Sequence, residues 1–182
     1  MKNNIYLALL RGINVGGNNT VSMKNLKKVF EGLGYTNIKT YINSGNVIFQ
    51  TTDKSSDKIV RVIEDAIEKE FGFAVRVLLR SKKQIEEVCE LIPKKWTNSK
   101  TMRTDVIFLW KEVDNVEEVA KVVINPQIDN LIYKAGAIIW NFEREKYKES
   151  KSDKFIGTYL YKHMTARNVN STRKLLELMR EM

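Results

Sequence analysis

Apolar positions along this chain recur with two different periods, and their order outlines a fold. Ile5–Leu10 is an unbroken apolar run, as expected of a central strand covered on both faces. Ser22 can cap a helix in which Met23, Leu26, Phe30 and Leu33 keep helical spacing, with Gly34 at its end. Ile38, Thr40 and Ile42 then alternate with Lys39 and Tyr41, and Asn43-Ser44-Gly45-Asn46 reads as a hairpin turn into Val47–Gln50. Ile59, Val62, Ile63, Ala66, Ile67 and Phe71 form a helical stripe stopped by Gly72, and Ala74–Leu79 is the next predicted strand. Strand, helix, strand, strand, helix, strand is the split βαβ, ferredoxin-like order.

A helix around Ile85, Val88, Cys89 and Ile92 leads to Pro93, after which residues 93–103 read as a basic linker. The pattern then restarts. Asp105–Trp110 is a strand, Val116, Val119, Ala120 and Val123 fit a helix, and Leu131–Tyr133 and Ala137–Phe142 flank a Lys134-Ala135-Gly136 turn. The charged stretch Glu143–Lys154 precedes a predicted helix at Phe155–Tyr161, and Asn170 or Ser171 can cap a last helix through Leu175, Leu176, Leu178 and Met179. The expected architecture is α+β: duplicated ferredoxin-like subdomains at 1–92 and 104–182, joined by the 93–103 linker. Tyr6, Ala8, Leu10, Ile107 and Leu109 are the positions expected to cover one another where the two halves pack.

Charge changes this picture in one place. The chain carries 31 Lys+Arg against 22 Asp+Glu in 182 residues, a formal charge of +9 that favours polyanionic or phosphorylated partners. None of the acids lies in residues 1–30, so the loop Arg11-Gly12-Ile13-Asn14-Val15-Gly16-Gly17-Asn18-Asn19 is acid-free and runs into a basic helix. In a βαββαβ unit this loop and the Asn43–Asn46 turn emerge at the same sheet edge. Together they offer glycine N–H groups, a helix N-terminus, an arginine and several amides, the ingredients of a phosphate or carboxylate cradle. The candidate ligand-binding residues are Arg11, Asn14, Gly16, Gly17, Asn18, Asn43, Ser44 and Asn46. Arg167 and Asn168 join them from a second acid-free stretch between Asp153 and Glu177, if that segment lies nearby. Neither a Walker loop nor a Rossmann glycine pattern is present.

Other chemistries lose ground. One His and one Cys exclude the common zinc sites, and His163 has no evident nucleophile and acid around it, so no catalytic or metal residues and no cofactor are assigned. Cys89 alone permits no internal disulfide, which fits a reducing, cytoplasmic setting. No apolar run has the length of a membrane span, and Met1–Leu10 reads as a strand rather than a leader. Trp96 among the linker cations resembles a single-strand binder's aromatic, or a core wedge. Ile5–Leu10 also resembles the first-strand motif of RNA-recognition modules, but the third strand lacks their aromatic pattern.

Three segments carry a family resemblance: LLRGINVGGNNTVSMKNL, YINSGNVIF and TARNVNSTRKLLEL. They resemble the bacterial family catalogued as domain of unknown function 1697, over essentially the whole chain. Members often carry Trp where this chain has Val169. The resemblance implies a cytosolic, cofactor-free α+β protein with a duplicated ferredoxin-like arrangement and no established activity. The expected function is a non-catalytic module that binds a phosphorylated small molecule, nucleotide or nucleic acid. The alternatives are an enzyme acting on a small anionic metabolite, and a protein-interaction or oligomeric scaffold.

Overall fold

The computed structural model describes residues 3–17, 19–134 and 136–182. Two four-stranded antiparallel sheets, each with its own helices, make the protein α+β. The chain divides into two compact units, Met1–Lys83 with Leu175–Met182, and Gln84–Lys174.

The first unit runs β1 (Asn4–Leu10), α1 (Met23–Gly32), β2 (Thr36–Tyr41), β3 (Asn46–Thr51), α2 (Ser56–Phe71) and β4 (Val77–Ser81), with strand order β2-β3-β1-β4. The Ser22 hydroxyl accepts from the Asn25 N–H at 3.4 Å, so α1 starts where the sequence places it. Gly72, at φ 80°, closes α2. Ala8, Leu10, Val47, Phe49, Val77 and Leu79 form the sheet side of the core, under Leu26 and Phe30 of α1 and Ile59, Ile63 and Ile67 of α2. Tyr6 packs against this cluster, its ring 6.1 Å from that of Phe49. Tyr6, Ala8 and Leu10 are therefore covered by the helices of their own unit, and Ile107 and Leu109 belong to the core cluster of the second unit. Helices cover these positions because α1 and α2 each present a full apolar stripe to them. It also removes Tyr6 as a base-stacking platform. The predicted strand Ala74–Leu79 begins only at Val77, the residue paired with Leu10.

The second unit contains most of α3 (Lys82–Leu91), then β5 (Met102–Leu109), α4 (Val116–Ala120), β6 (Asn130–Lys134), β7 (Ala137–Glu143), α5 (Tyr159–Lys162) and β8 (Met164–Asn168). Its strand order is β6-β7-β5-β8. β8 is an element that the apolar pattern does not predict, lying just before the expected helix cap at Asn170 or Ser171. Met164, Thr165 and Arg167 are buried in a strand paired with β5, and its short polar sequence hides that. The predicted helix Phe155–Tyr161 shrinks to α5, and short 3-10 turns form at Arg144–Lys146 and Ser152–Phe155 in the charged stretch before it. The last helix, α6 (Val169–Arg180), starts earlier than expected, because Asn168 Oδ1 accepts from the Ser171 N–H at 2.9 Å. Ala135, in the expected turn between β6 and β7, lies outside the described residues.

Trp96 is buried, and its carbonyl accepts from Arg173 at 2.8 Å. Asn98 and Asn170 bond each other reciprocally, so the basic linker is tied to the start of α6. A buried Asp129 holds the far side of this unit together. Its carboxylate accepts from Trp140 Nε1 (3.0 Å), Ser150 Oγ (2.6 Å), and the Asn125 and Lys151 N–H groups (2.8 and 3.1 Å).

Two outcomes follow from these contacts. Burial alone would push the Asp129 carboxyl up, but its four hydrogen bonds outweigh that and hold it below its ordinary value. A depressed folded-state pKa gives stability that is present above the unfolded value and lost as pH falls through the folded one. Asp129→Asn should therefore lower Tm near neutrality, at a cost of about 2 kcal/mol, and reduce the acid sensitivity of the melt. A pH series of thermal melts checks both.

Candidate functional site

The loop end of the first sheet is assembled by one close approach. Leu10 N–H donates to the Gly45 carbonyl at 2.8 Å, which brings the turn after β2 onto the end of β1. A Cβ on Gly45 would lie 2.7 Å from Leu10 Cβ and 2.8 Å from Ile13 Cδ1, and its φ is +73°. Only glycine fits there. The predicted juxtaposition of loop 11–19 with the Asn43–Asn46 turn is therefore present in atomic contact.

Asn14 locks the loop. Its carboxamide nitrogen donates to the carbonyls of Val21 (3.0 Å) and Asn43 (2.8 Å), and its oxygen accepts from the Val21 N–H (2.8 Å). Its backbone N–H donates to the Asn19 carbonyl at 3.1 Å. Asn19 Nδ2 donates in turn to the Gly12 carbonyl at 3.2 Å. Ile13 and Val21 are buried in the core and anchor both ends. Asn46 is fully buried and donates to the Tyr41 carbonyl (2.9 Å) and Ser44 Oγ (3.0 Å). Asn14 and Asn46 thus build the site, with their amide protons already committed.

What faces outward is mostly backbone. Gly12, Gly16 and Gly17 are exposed, have positive φ, and have nothing within 4 Å of where a side chain would begin. Asn43 is exposed and Ser44 half-buried on the neighbouring turn. Asn18 lies outside the described residues. Lys24, Lys27 and Lys28 are exposed on α1 behind the loop.

Arg11 gains a neighbour that the sequence reading did not give it. Its backbone N–H donates to the Arg76 carbonyl at 3.0 Å, continuing the β1–β4 ladder by one residue beyond Leu10–Val77. Residues facing each other across an antiparallel pair project from the same face, so the two arginines stand side by side at the sheet end. Leu10 packs under the helices, so strand alternation puts both arginines on the opposite face. The signal was available: β4 must begin beside the end of β1, and Arg76 precedes its first apolar residue. The segments 1–30, 35–52 and 72–84 that form this end contain no acid. Glu64 of α2 accepts from the Val77 N–H at 2.7 Å.

Arg167 and Asn168 belong to the second unit. Arg167 is 7% exposed and donates to Thr165 Oγ1 (2.9 Å) and the Ala166 carbonyl (2.8 Å). Burial pushes its guanidinium down to about 10. Asn168 is spent as the cap of α6. Among the described residues no group of three or more His, Cys, Asp or Glu could hold a metal, and no helix is long and apolar enough to cross a membrane. His163 Nδ1 lies 2.9 Å from the Tyr159 carbonyl.

The glycines separate architecture from accessibility. Gly45→Ala should cost about 2–5 kcal/mol, adding a steric clash to left-handed strain, whereas Gly16→Ala should cost only about 1–2 kcal/mol. Urea denaturation followed by circular dichroism measures the difference.

Comparison with known proteins gives a family and a fold. A family model described as "Protein of unknown function (DUF1697)" matches residues 3–140. The chain is similar to the solved structure of conserved bacterial protein SP0830 from Streptococcus pneumoniae, at 27% identity and a TM-score of 0.84, covering 98% of this chain and 99% of that one. No curated protein matches.

Proposed function

The chain belongs to the DUF1697 family, and we propose that the loop end of its first sheet binds the phosphates of a nucleic acid without catalysing a reaction. The observation that carries this reading is the acid-free glycine loop, whose Gly12, Gly16 and Gly17 are exposed at positive φ beside the Asn43–Asn46 turn. Glycine N–H groups and the α1 N-terminus are the donors that this sheet end offers to a phosphate. The +9 charge favours the approach of a polymer with regularly spaced phosphates. Asn43 and Ser44 supply polar contacts from the adjacent turn, while Asn14 and Asn46 hold the backbone in place. Arg167 and Asn168 are left out of this contact set because their side chains are spent inside the second unit.

The matching strand orders of the two sheets support a duplicated ferredoxin-like plan, each half giving strands 2-3-1-4 when numbered from its own start. A cytoplasmic setting accords with a lone cysteine. A second reading has its own observation. Val15 and Ile42 are 68% and 49% exposed beside the loop, and Ile42 holds a left-handed φ of 47°, unusual for a β-branched residue. Contact between copies through these residues would appear as concentration-dependent mass in light scattering.

Fluorescence anisotropy with labelled single- and double-stranded oligonucleotides tests the phosphate reading. Arg11→Ala and Arg76→Ala should each weaken binding on the order of tenfold and shallow the salt slope by about 1. Lys54→Ala, just past the far end of β3, should change neither. A salt-independent affinity, or equal losses in all three variants, would contradict it. Saturable binding of a mononucleotide with oligonucleotides excluded would favour a small anionic substrate instead.

A further inference from the structure

The second unit contains a cavity of about 260 Å³ on the sheet face that α1 and α2 cover in the first unit. Its origin lies in the sequence. From the end of β7 the chain reads EREKYKESKSDK over residues 143–154, with Tyr147 as its one large apolar residue, and this stretch cannot supply the stripe a covering helix needs. Only 3-10 turns and the four-residue α5 form there, so the cover is thin. The space beneath it is walled by Trp140, Phe142, Tyr147, Phe155 and Tyr161. Phe155 packs edge-on against Trp140 (5.6 Å between ring centroids) and Tyr161 (5.7 Å). Ala166, exposed on the edge strand β8, lines the opening.

The polar groups in this cavity have capacity to spare. Arg103 Nε donates to Asp105 Oδ2 at 2.7 Å, and its guanidinium lies 5.8 Å from the Phe142 ring centroid. That bond uses one of five guanidinium N–H groups and one of two carboxylate oxygens. Ser152 Oγ is buried with no hydrogen-bond partner in the structure, and a buried orphan hydroxyl points to a missing partner. Aromatic walls, one donor cluster, one acceptor and one hydroxyl that can act as either are the requirements for holding a flat polar ring. Such a ring stacks on aromatic side chains and bonds through its edge.

We propose that this cavity binds a planar heteroaromatic ring of purine size with a hydrogen-bond donor beside an acceptor on its edge. Asp105 Oδ1 takes the ring N–H, the free guanidinium N–H groups of Arg103 donate to the adjacent carbonyl, and Ser152 Oγ gains the partner it lacks. The volume admits one ring system, below the usual span of drug-sized pockets. This inference is independent of the phosphate reading, because every residue involved lies in the second unit.

Ligand-observed saturation-transfer NMR on the full chain, with hypoxanthine and inosine as probes, tests it. Hypoxanthine should bind saturably, with affinity reduced at least tenfold by Asp105→Asn and by Ala166→Phe, which fills the opening from an exposed position. Ser152→Ala should weaken binding severalfold while leaving the circular dichroism spectrum unchanged. If inosine binds as well, the ring enters with its sugar outside. Hypoxanthine alone would mean a free base, and either result supports the proposal. No saturable signal from either probe would overturn it. So would binding of indole and hypoxanthine with equal affinity, both indifferent to Asp105→Asn, which would reveal an apolar void only.

Discussion

The absence of a side chain at Gly45 is the constraint on which the loop end of the first sheet depends. Leu10 and Ile13 occupy the space a Cβ would take, so the turn after β2 lies directly on the strand that launches the glycine loop. That contact turns two separate loops into one surface. Asn14 then spans the join with its two donated bonds, one to each side. Asn14 and Asn19 spend their amides on backbone partners, so backbone groups are what the loop offers to a ligand. Preorganised backbone donors reduce the ordering cost of binding an anion.

Much of this was legible in the sequence because it depends on local patterns. The apolar stripes of α1 and α2, the Ser22 cap and the Gly72 stop each leave a signature that local physics dictates. Neighbourhood followed from topology: in a split βαβ unit the loop after β1 and the turn after β2 must share an edge. Arg76 was legible by the same reasoning, since β4 runs antiparallel to β1 and must start beside its end.

The rest depended on long-range contacts. The strand Met164–Asn168 buries a threonine and an arginine, so its alternation has no apolar signal. The roles of Asn14 and Asn46 could not be read either. An asparagine in a glycine-rich loop looks the same whether its amide faces a ligand or spans seven residues to Val21. The assignment of Tyr6, Ala8 and Leu10 to a shared interface failed for a different reason. A strand apolar on both sides does not reveal which face the helices cover.

The two units solve one packing problem differently. In the first, two long amphipathic helices close the sheet face and leave recognition to its loop end. In the second, a charged segment too polar for a covering helix leaves an aromatic space over the sheet. The central claim concerns the first of these, and a backbone amide NMR titration with a short oligonucleotide tests it most directly. Chemical-shift changes should concentrate at Gly12, Gly16, Gly17, Ser44 and Arg76 and disappear at high salt. Changes spread over the second unit with this cluster silent, or none at any concentration, would contradict it.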